Sequence, residues 1–312
     1  MSKTRKNLRK RFGRIGILMG GDSPEREISL KSGTAVYQAL KEEGAEGVII
    51  NIKNTKNKPQ LKMDILNRHL DVAFIAMHGD FGEDGQLQAI LKELDIPYTG
   101  SGPQASRLAM DKIASRRIFE FNKLAVPKFI IAKNKNFNCD GLNFPLVVKP
   151  SNLGSSIGLS IVRNKREMEH AFLFARKYSR KIIVEEYQPG EEITVGILEE
   201  QALPVIMLKP KEEFYNYKAK YTKGLTRYLI PAPLKTKIAV FCQAAALKAH
   251  RVLGLWHFSR VDMILRDGKQ PIILEVNSIP GLTPLSLLPK AAENKGLNFI
   301  ALCIKLVESA FK

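Results

Sequence analysis

Cysteine is scarce in this chain. Its 312 residues contain three, Cys139, Cys242 and Cys303, at spacings that match neither a metal ribbon nor a disulfide framework. That scatter points to buried thiols and a reducing compartment. No apolar run approaches the ~20 residues that span a bilayer, so no membrane insertion is expected. The basic start "MSKTRKNLRKRFGR" has no apolar segment behind it and does not read as a secretory signal. Acid is short relative to base: 31 Asp and Glu stand against 49 Lys and Arg, a net charge of +18. The aromatics are not interleaved with the basic residues as in a base-stacking platform, so no specific nucleic-acid partner is expected. The surplus reads as a solvated surface plus a frayed basic tail at 1–13. The phosphate-binding pattern G-x-x-x-x-G-K-[ST] is also missing. The nearest stretch, "PLVVKPSNLGSSIGLS" (145–160), has its lysine before the glycines.

What is present is a run of short apolar segments alternating with helical periods. "RIGILMGG" reads as a buried parallel strand, with Ser23-Pro24 as the N-cap and first residue of a helix reaching Glu43. "GVIIN", "DVAFIAMHG" and "DGQLQAILKEL" continue the alternation to residue 103. This predicts an α/β domain over 14–103, with a parallel sheet and ligands at the strand C-terminal ends. Residues 104–187 read as a compact α+β unit. Residues 188–312 read as a second one, with a long loop at 209–233 rich in tyrosine and lysine. Loops of that length are often lids.

The strongest local pattern is "SRVDMILRDGKQPIILEVNSIPG". Asp267-Gly268 is the preferred two-residue hairpin turn. With those as turn residues, 262 pairs with 273, and Arg260, Asp262, Glu275 and Asn277 share one face. Val261, Met263, Leu274 and Val276 then form an apolar opposite face. A register slip would break this pattern, and Pro271 makes a bulge admissible. Two carboxylates and an amide suit a hard cation such as Mg²⁺; a solvent-facing strand with an Arg260–Glu275 pair fits the spacing equally well. Two glycine-rich turns, "GGDSPEREISL" with Glu25 and "MHGDFGEDGQ" with His78 and Glu83, fall at one sheet edge and suggest a small-molecule crevice.

Taken in order, "GGDSPEREISLKSG", "MHGDFGEDGQLQ", "MDK", "VVKPSNLGSSIG", "FYNYKAKY", "RVD" and "LEVNSIPGLTPLSLLP" resemble the D-alanine–D-alanine ligases of the ATP-grasp superfamily, from about Arg14 to Phe311. The resemblance implies an ATP-grasp fold of three domains, mixing α/β and α+β, with a Rossmann-like N-terminal domain. It implies an ATP-dependent joining of two D-alanines through an acylphosphate for peptidoglycan precursors, in a cytoplasmic homodimer, with two Mg²⁺ or Mn²⁺. Lys112 and Lys149 would hold ATP phosphates, with Ser155 and Ser156 in the covering flap. Glu185, Glu186, Tyr187 and Gln188 would form the adenine hinge and Glu192 would meet the ribose. Phe214 and Lys220 belong to the nucleotide side of the lid. Asp262, Glu275 and Asn277 would bind the metals. Arg260 and the N–H of Gly281 would stabilise the oxyanion. Glu25 would anchor the first D-alanine's ammonium, latched by Ser155 and Tyr221, with His78 nearby. Ser286 and Leu287 would meet the second D-alanine. "KAKY" favours alanine over D-lactate or D-serine as second substrate. A catalytically inactive nucleotide-binding regulator would have lost the metal or oxyanion residues, and all are present.

Overall fold

The first sheet forms because two of its three strands are apolar and buried on both faces. The computed structural model describes residues 7–135, 137–211 and 224–312. Strands β1 (Arg14–Gly20), β2 (Glu46–Ile52) and β3 (Val72–Ile75) pair in parallel, in the order β2-β1-β3. Helices α2 (Arg26–Glu42), α3 (Lys58–Leu66) and α4 (Gln86–Glu93) supply the crossovers. One face buries Ile15, Ile17 and Phe74 against α2 and two C-terminal helices; the other buries Leu18, Ile50 and Ile75 against α3 and α4. Each such side chain contributes about 1.5–3 kcal/mol when removed from water.

Two expectations for this domain need correction. Residues 7–12 are not a frayed tail but a helix, α1 (Asn7–Phe12). Leu8 and Phe12, one turn apart, are buried in the core, and Phe12 stacks on Phe311 at 6.0 Å. Arg9 and Arg11 pair with Glu46 and Glu308. Residues 1–6 lie outside the described residues. Helix α2 also starts later than Ser23-Pro24 predicts. Glu25 occupies its N-cap position without capping it. Its carboxylate is engaged elsewhere, and Ser23 instead donates to the His78 carbonyl, 3.1 Å away.

Helices α5 (Pro103–Met110) and α6 (Lys112–Phe121) lead into a four-stranded sheet. It comprises β4 (Phe129–Ala132), β5 (Leu146–Pro150), β6 (Ser160–Val162) and β7 (Ile182–Glu186), ordered β4-β7-β5-β6 and entirely antiparallel. Helix α7 (Lys165–Arg176) covers one face. The other face carries Lys149 and Glu185. A six-stranded sheet follows, of β8 (Glu191–Leu198), β9 (Gln201–Ala202), β10 (Ile206–Pro210), β11 (Thr226–Leu229), β12 (Phe258–Arg266) and β13 (Gln270–Asn277). Helix α8 (Thr236–Val252) backs it, and α9 (Leu287–Asn294) and α10 (Phe299–Ser309) return to pack on the first domain.

The β12–β13 hairpin reaches the expected face by a different register. The turn is one residue longer, so Arg266 pairs with Gln270 and Met263 with Ile273. That shift alone would place Leu274 opposite Asp262 and turn Glu275 into the core. A bulge between Asp262 and Met263 adds a second shift, and Asp262 then opposes Glu275 while Arg260 opposes Asn277. The two irregularities restore the polar face. Leu274, the residue left without a partner in the ladder, leaves the apolar face and lines the cleft instead.

Candidate active site

A cleft opens between the four-stranded and six-stranded sheets. Lys112, Lys149, Ser156, Glu192, Asp262 and Glu275 line it with four leucine and isoleucine side chains. Lys112 starts α6, whose N-cap Asp111 accepts from the N–H groups of Ile113 and Ala114. The buried Lys112 ammonium sits 3.0 Å from Glu275 and donates to the Leu153 carbonyl at 2.7 Å. Across the cleft, Lys149 donates to Glu185 at 2.8 Å. Burial lowers the affinity of Lys149 for its proton, partly offset by Glu185. Burial also opposes ionisation of Glu185, but Arg116 and Lys149 outweigh it and hold that carboxyl below the ordinary range.

Asp262 accepts hydrogen bonds on both of its oxygens. It accepts a two-pronged contact from Arg260 at 2.8 and 2.7 Å, and single contacts from Thr194 at 2.6 Å and Asn277 at 3.0 Å. Arg260 pairs with Asp262, and Lys112 pairs with Glu275. Oxygen donors of Asp262, Glu275 and Asn277 therefore face one space. Their negative charge is balanced by a guanidinium and an ammonium, the charge a divalent cation would also supply. The donor set fits Mg²⁺ or Mn²⁺, which take few carboxylates together with phosphate oxygens. Four hydrogen bonds, two of them from Arg260, occupy the oxygens of the Asp262 carboxylate.

Glu25 and Ser155, 130 residues apart, meet in a buried hydrogen bond of 2.5 Å from the serine hydroxyl to the carboxylate. The flap that carries Ser155 is held in an unusual backbone state. Ser155 and Ser156 have φ of +54° and +58°. Such left-handed conformations cost a non-glycine residue about 1–2 kcal/mol. At the neighbouring Gly154 a Cβ would stand 3.3 Å from a Glu25 oxygen, so glycine permits the close approach.

His78 is buried and bridges two segments. Its Nε2 lies 2.8 Å from the Ser32 hydroxyl and its Nδ1 lies 3.1 Å from the Ile279 carbonyl. A carbonyl only accepts, so Nδ1 carries the proton and Nε2 accepts from Ser32. Burial lowers the His78 pKa, with Glu25 opposing, which agrees with this neutral form. Ser32 also accepts from the Leu282 N–H at 3.3 Å. Thus His78 and Ser32 fix the loop that holds Gly281. Within that loop Ser286 accepts from the Thr283 N–H at 3.1 Å and starts α9, with Leu287 buried beside it. Glu83 accepts from the Gly79 N–H at 2.9 Å. Burial, reinforced by Glu25, pushes its carboxyl well above the usual range.

The expected hinge is mixed in its placement. Glu185 is buried behind Lys149, whereas Glu186 accepts twice from Asn143 and turns away from the cleft. The N–H groups of Glu186 and Tyr187 are engaged by the Lys128 and Pro145 carbonyls, and the Gln188 side chain donates to the Glu186 carbonyl. Phe214, Lys220 and Tyr221 lie outside the described residues. Sequence reading missed Arg116, Ser32 and Thr194. Their signal, a polar residue on an otherwise buried helical or strand face, is visible only once partners 40 to 250 residues away are known.

Known proteins resemble this chain over nearly its whole length. The family described as "D-ala D-ala ligase C-terminus" matches residues 119–308, and "D-ala D-ala ligase N-terminus" matches residues 53–101. A D-alanine–D-alanine ligase of Geotalea uraniireducens is 43% identical over 300 residues, covering 95% of each chain. One from Halalkalibacterium halodurans is 38% identical, covering 92% of this chain and 95% of that protein. The crystal structure of D-alanine–D-alanine ligase from Bacillus anthracis complexed with ATP superposes with a TM-score of 0.83 at 32% identity, covering 96% of this chain and 97% of that one. On these matches, which extend over nearly its whole length, the chain belongs to the D-alanine–D-alanine ligase family.

Proposed function

We propose that this protein joins two D-alanines to D-alanyl-D-alanine at the expense of ATP, releasing ADP and phosphate, in peptidoglycan precursor synthesis. The observation that carries this reading is two lysines and an oxygen-donor set lining one cleft, with the Glu25–Ser155 latch in the adjoining flap. A carboxylate oxygen of the first D-alanine attacks the γ-phosphorus, and the bond to ADP breaks. The second D-alanine's amine then attacks the acylphosphate carbonyl, loses a proton, and phosphate leaves.

Lys112 and Lys149 bind the phosphates as point charges. Glu25 binds the first ammonium, held by Ser155 and, from the lid, Tyr221. Arg260 and the Gly281 N–H face the oxyanion. Ser286 and Leu287 position the second D-alanine, and His78 holds their loop. The buried hinge residue Glu185 and the backbone at Glu186–Gln188 flank the adenine, Glu192 the ribose, and Phe214 and Lys220 cover the nucleotide. Asp262, Glu275 and Asn277 would hold two Mg²⁺ or Mn²⁺, which neutralise charge in phosphoryl transfer. The reading includes a cytoplasmic homodimer. No helix among the described residues is long and apolar enough to cross a membrane. Cys139, Cys242 and Cys303 are free, which suits a reducing compartment.

The test is phosphate release from ATP with D-alanine, with and without EDTA, and mass identification of the product. D-alanyl-D-alanine formed only with divalent metal is the expected result. Phosphate release independent of D-alanine would overturn the reading.

A further inference from the structure

Arg116 is among the largest fully buried side chains described, yet it carries a permanent charge. A guanidinium does not survive in an interior without partners. It pairs with one oxygen of Glu185 on β7, and its Cζ lies 5.5 Å over the Phe129 ring on β4. A second nitrogen donates to the Leu274 carbonyl at 3.4 Å. Leu274 is the residue left without a partner in the β12–β13 ladder by the bulge, so its carbonyl is available. One side chain of α6 therefore ties the four-stranded sheet to the six-stranded sheet at the base of the cleft.

The charge arrangement has a consequence for the cleft. Glu185 faces Arg116 with one oxygen and Lys149 with the other, at 2.8 Å. Two cations share one carboxylate, and the cluster keeps a net positive charge. Without Arg116 the Lys149–Glu185 pair would be neutral, and Lys149 would attract a polyphosphate less.

We propose that Arg116 is a positioning residue for the nucleotide: it neutralises Glu185 from behind, leaves the charge of Lys149 to the anionic ligand, and pins the two walls of the cleft through Leu274. The proposal rests on reading the cleft as an ATP site. It makes Arg116 a determinant of ATP affinity without contact to D-alanine.

The experiment compares full-length wild type, Arg116→Gln and Arg116→Lys. Steady-state KM is measured for ATP and D-alanine, with thermal melting and equilibrium dialysis of ATP. Arg116→Gln should raise KM and Kd for ATP at least tenfold, leave KM for D-alanine and kcat within threefold, and stay folded. Arg116→Lys restores the charge and should bring ATP binding to within threefold of wild type. ATP affinity within twofold of wild type in Arg116→Gln would overturn the proposal. So would a parallel rise in both KM values. If Arg116→Gln does not fold, Arg116→Lys decides: a loss of ATP affinity greater than threefold, or one matched by D-alanine, overturns it. A wild type that binds ATP but does not turn over D-alanine would sink the functional reading alone, because dialysis still tests Arg116.

Discussion

Ser155→Ala removes the hydroxyl that joins the flap to the first domain. The hydroxyl donates at 2.5 Å to a buried carboxylate. A hydrogen bond to a charged group contributes about 1.5–3 kcal/mol. Against it stands the left-handed backbone at Ser155 and Ser156, at about 1–2 kcal/mol per residue. The bond and the strain are of similar size, so flap closure is finely balanced. Losing about 2 kcal/mol should shift the flap toward open. At about 1.4 kcal/mol per factor of ten, kcat/KM for D-alanine should fall about 10- to 100-fold. Global stability should change little, because the flap opens locally before the sheets unfold. The melting temperature is expected to fall by less than about 2 °C, because a flap that has already opened before global melting carries little of that loss into the transition. Phosphate release at varied D-alanine, with calorimetry on the same preparation, measures both. A kcat/KM within threefold of wild type would refute the latch. A fall of more than about 5 °C would show that the serine supports the fold instead.

Two further perturbations address the metal face and the loop beside it. Glu275→Gln keeps the shape but removes a carboxylate that pairs with buried Lys112. Turnover should fall about a thousandfold, as metal charge stabilisation amounts to several kcal/mol, with circular dichroism unchanged; wild-type turnover would refute the assignment. Asp80→Asn tests electrostatic strain in the ligand-free protein. Partial burial and then Asp84, Glu25 and Asp22 push Asp80 from 3.8 up to about 6. The folded state holds this proton more tightly, so ionisation destabilises the fold. That penalty is absent below about pH 4, grows toward pH 6 and is complete above it. The shift corresponds to at most about 3 kcal/mol. Solvent around this exposed residue reduces it to about 1 kcal/mol. Asp80→Asn should raise the melting temperature at pH 7.5 and not at pH 4. An equal gain at both would refute titration as the cause.

The sequence determined the element types and most of the chemistry. Apolar strands, glycine turns and alternation made the first sheet legible, hairpin parity nominated Asp262 and Glu275, and Lys149 entered through the family resemblance. Short-range patterning did so because side-chain periodicity is a local property. Tertiary structure decided which groups meet. The register of β12–β13 depends on two compensating one-residue shifts, and no local rule supplies both. The docking of Leu8 and Phe12 depends on a partner helix at the far end of the chain. Arg116 reads from its neighbours as an ordinary helical cation. It becomes a bridge because Glu185 and Leu274 arrive from two sheets, and a buried charge takes its meaning from partners distant in sequence and close in space.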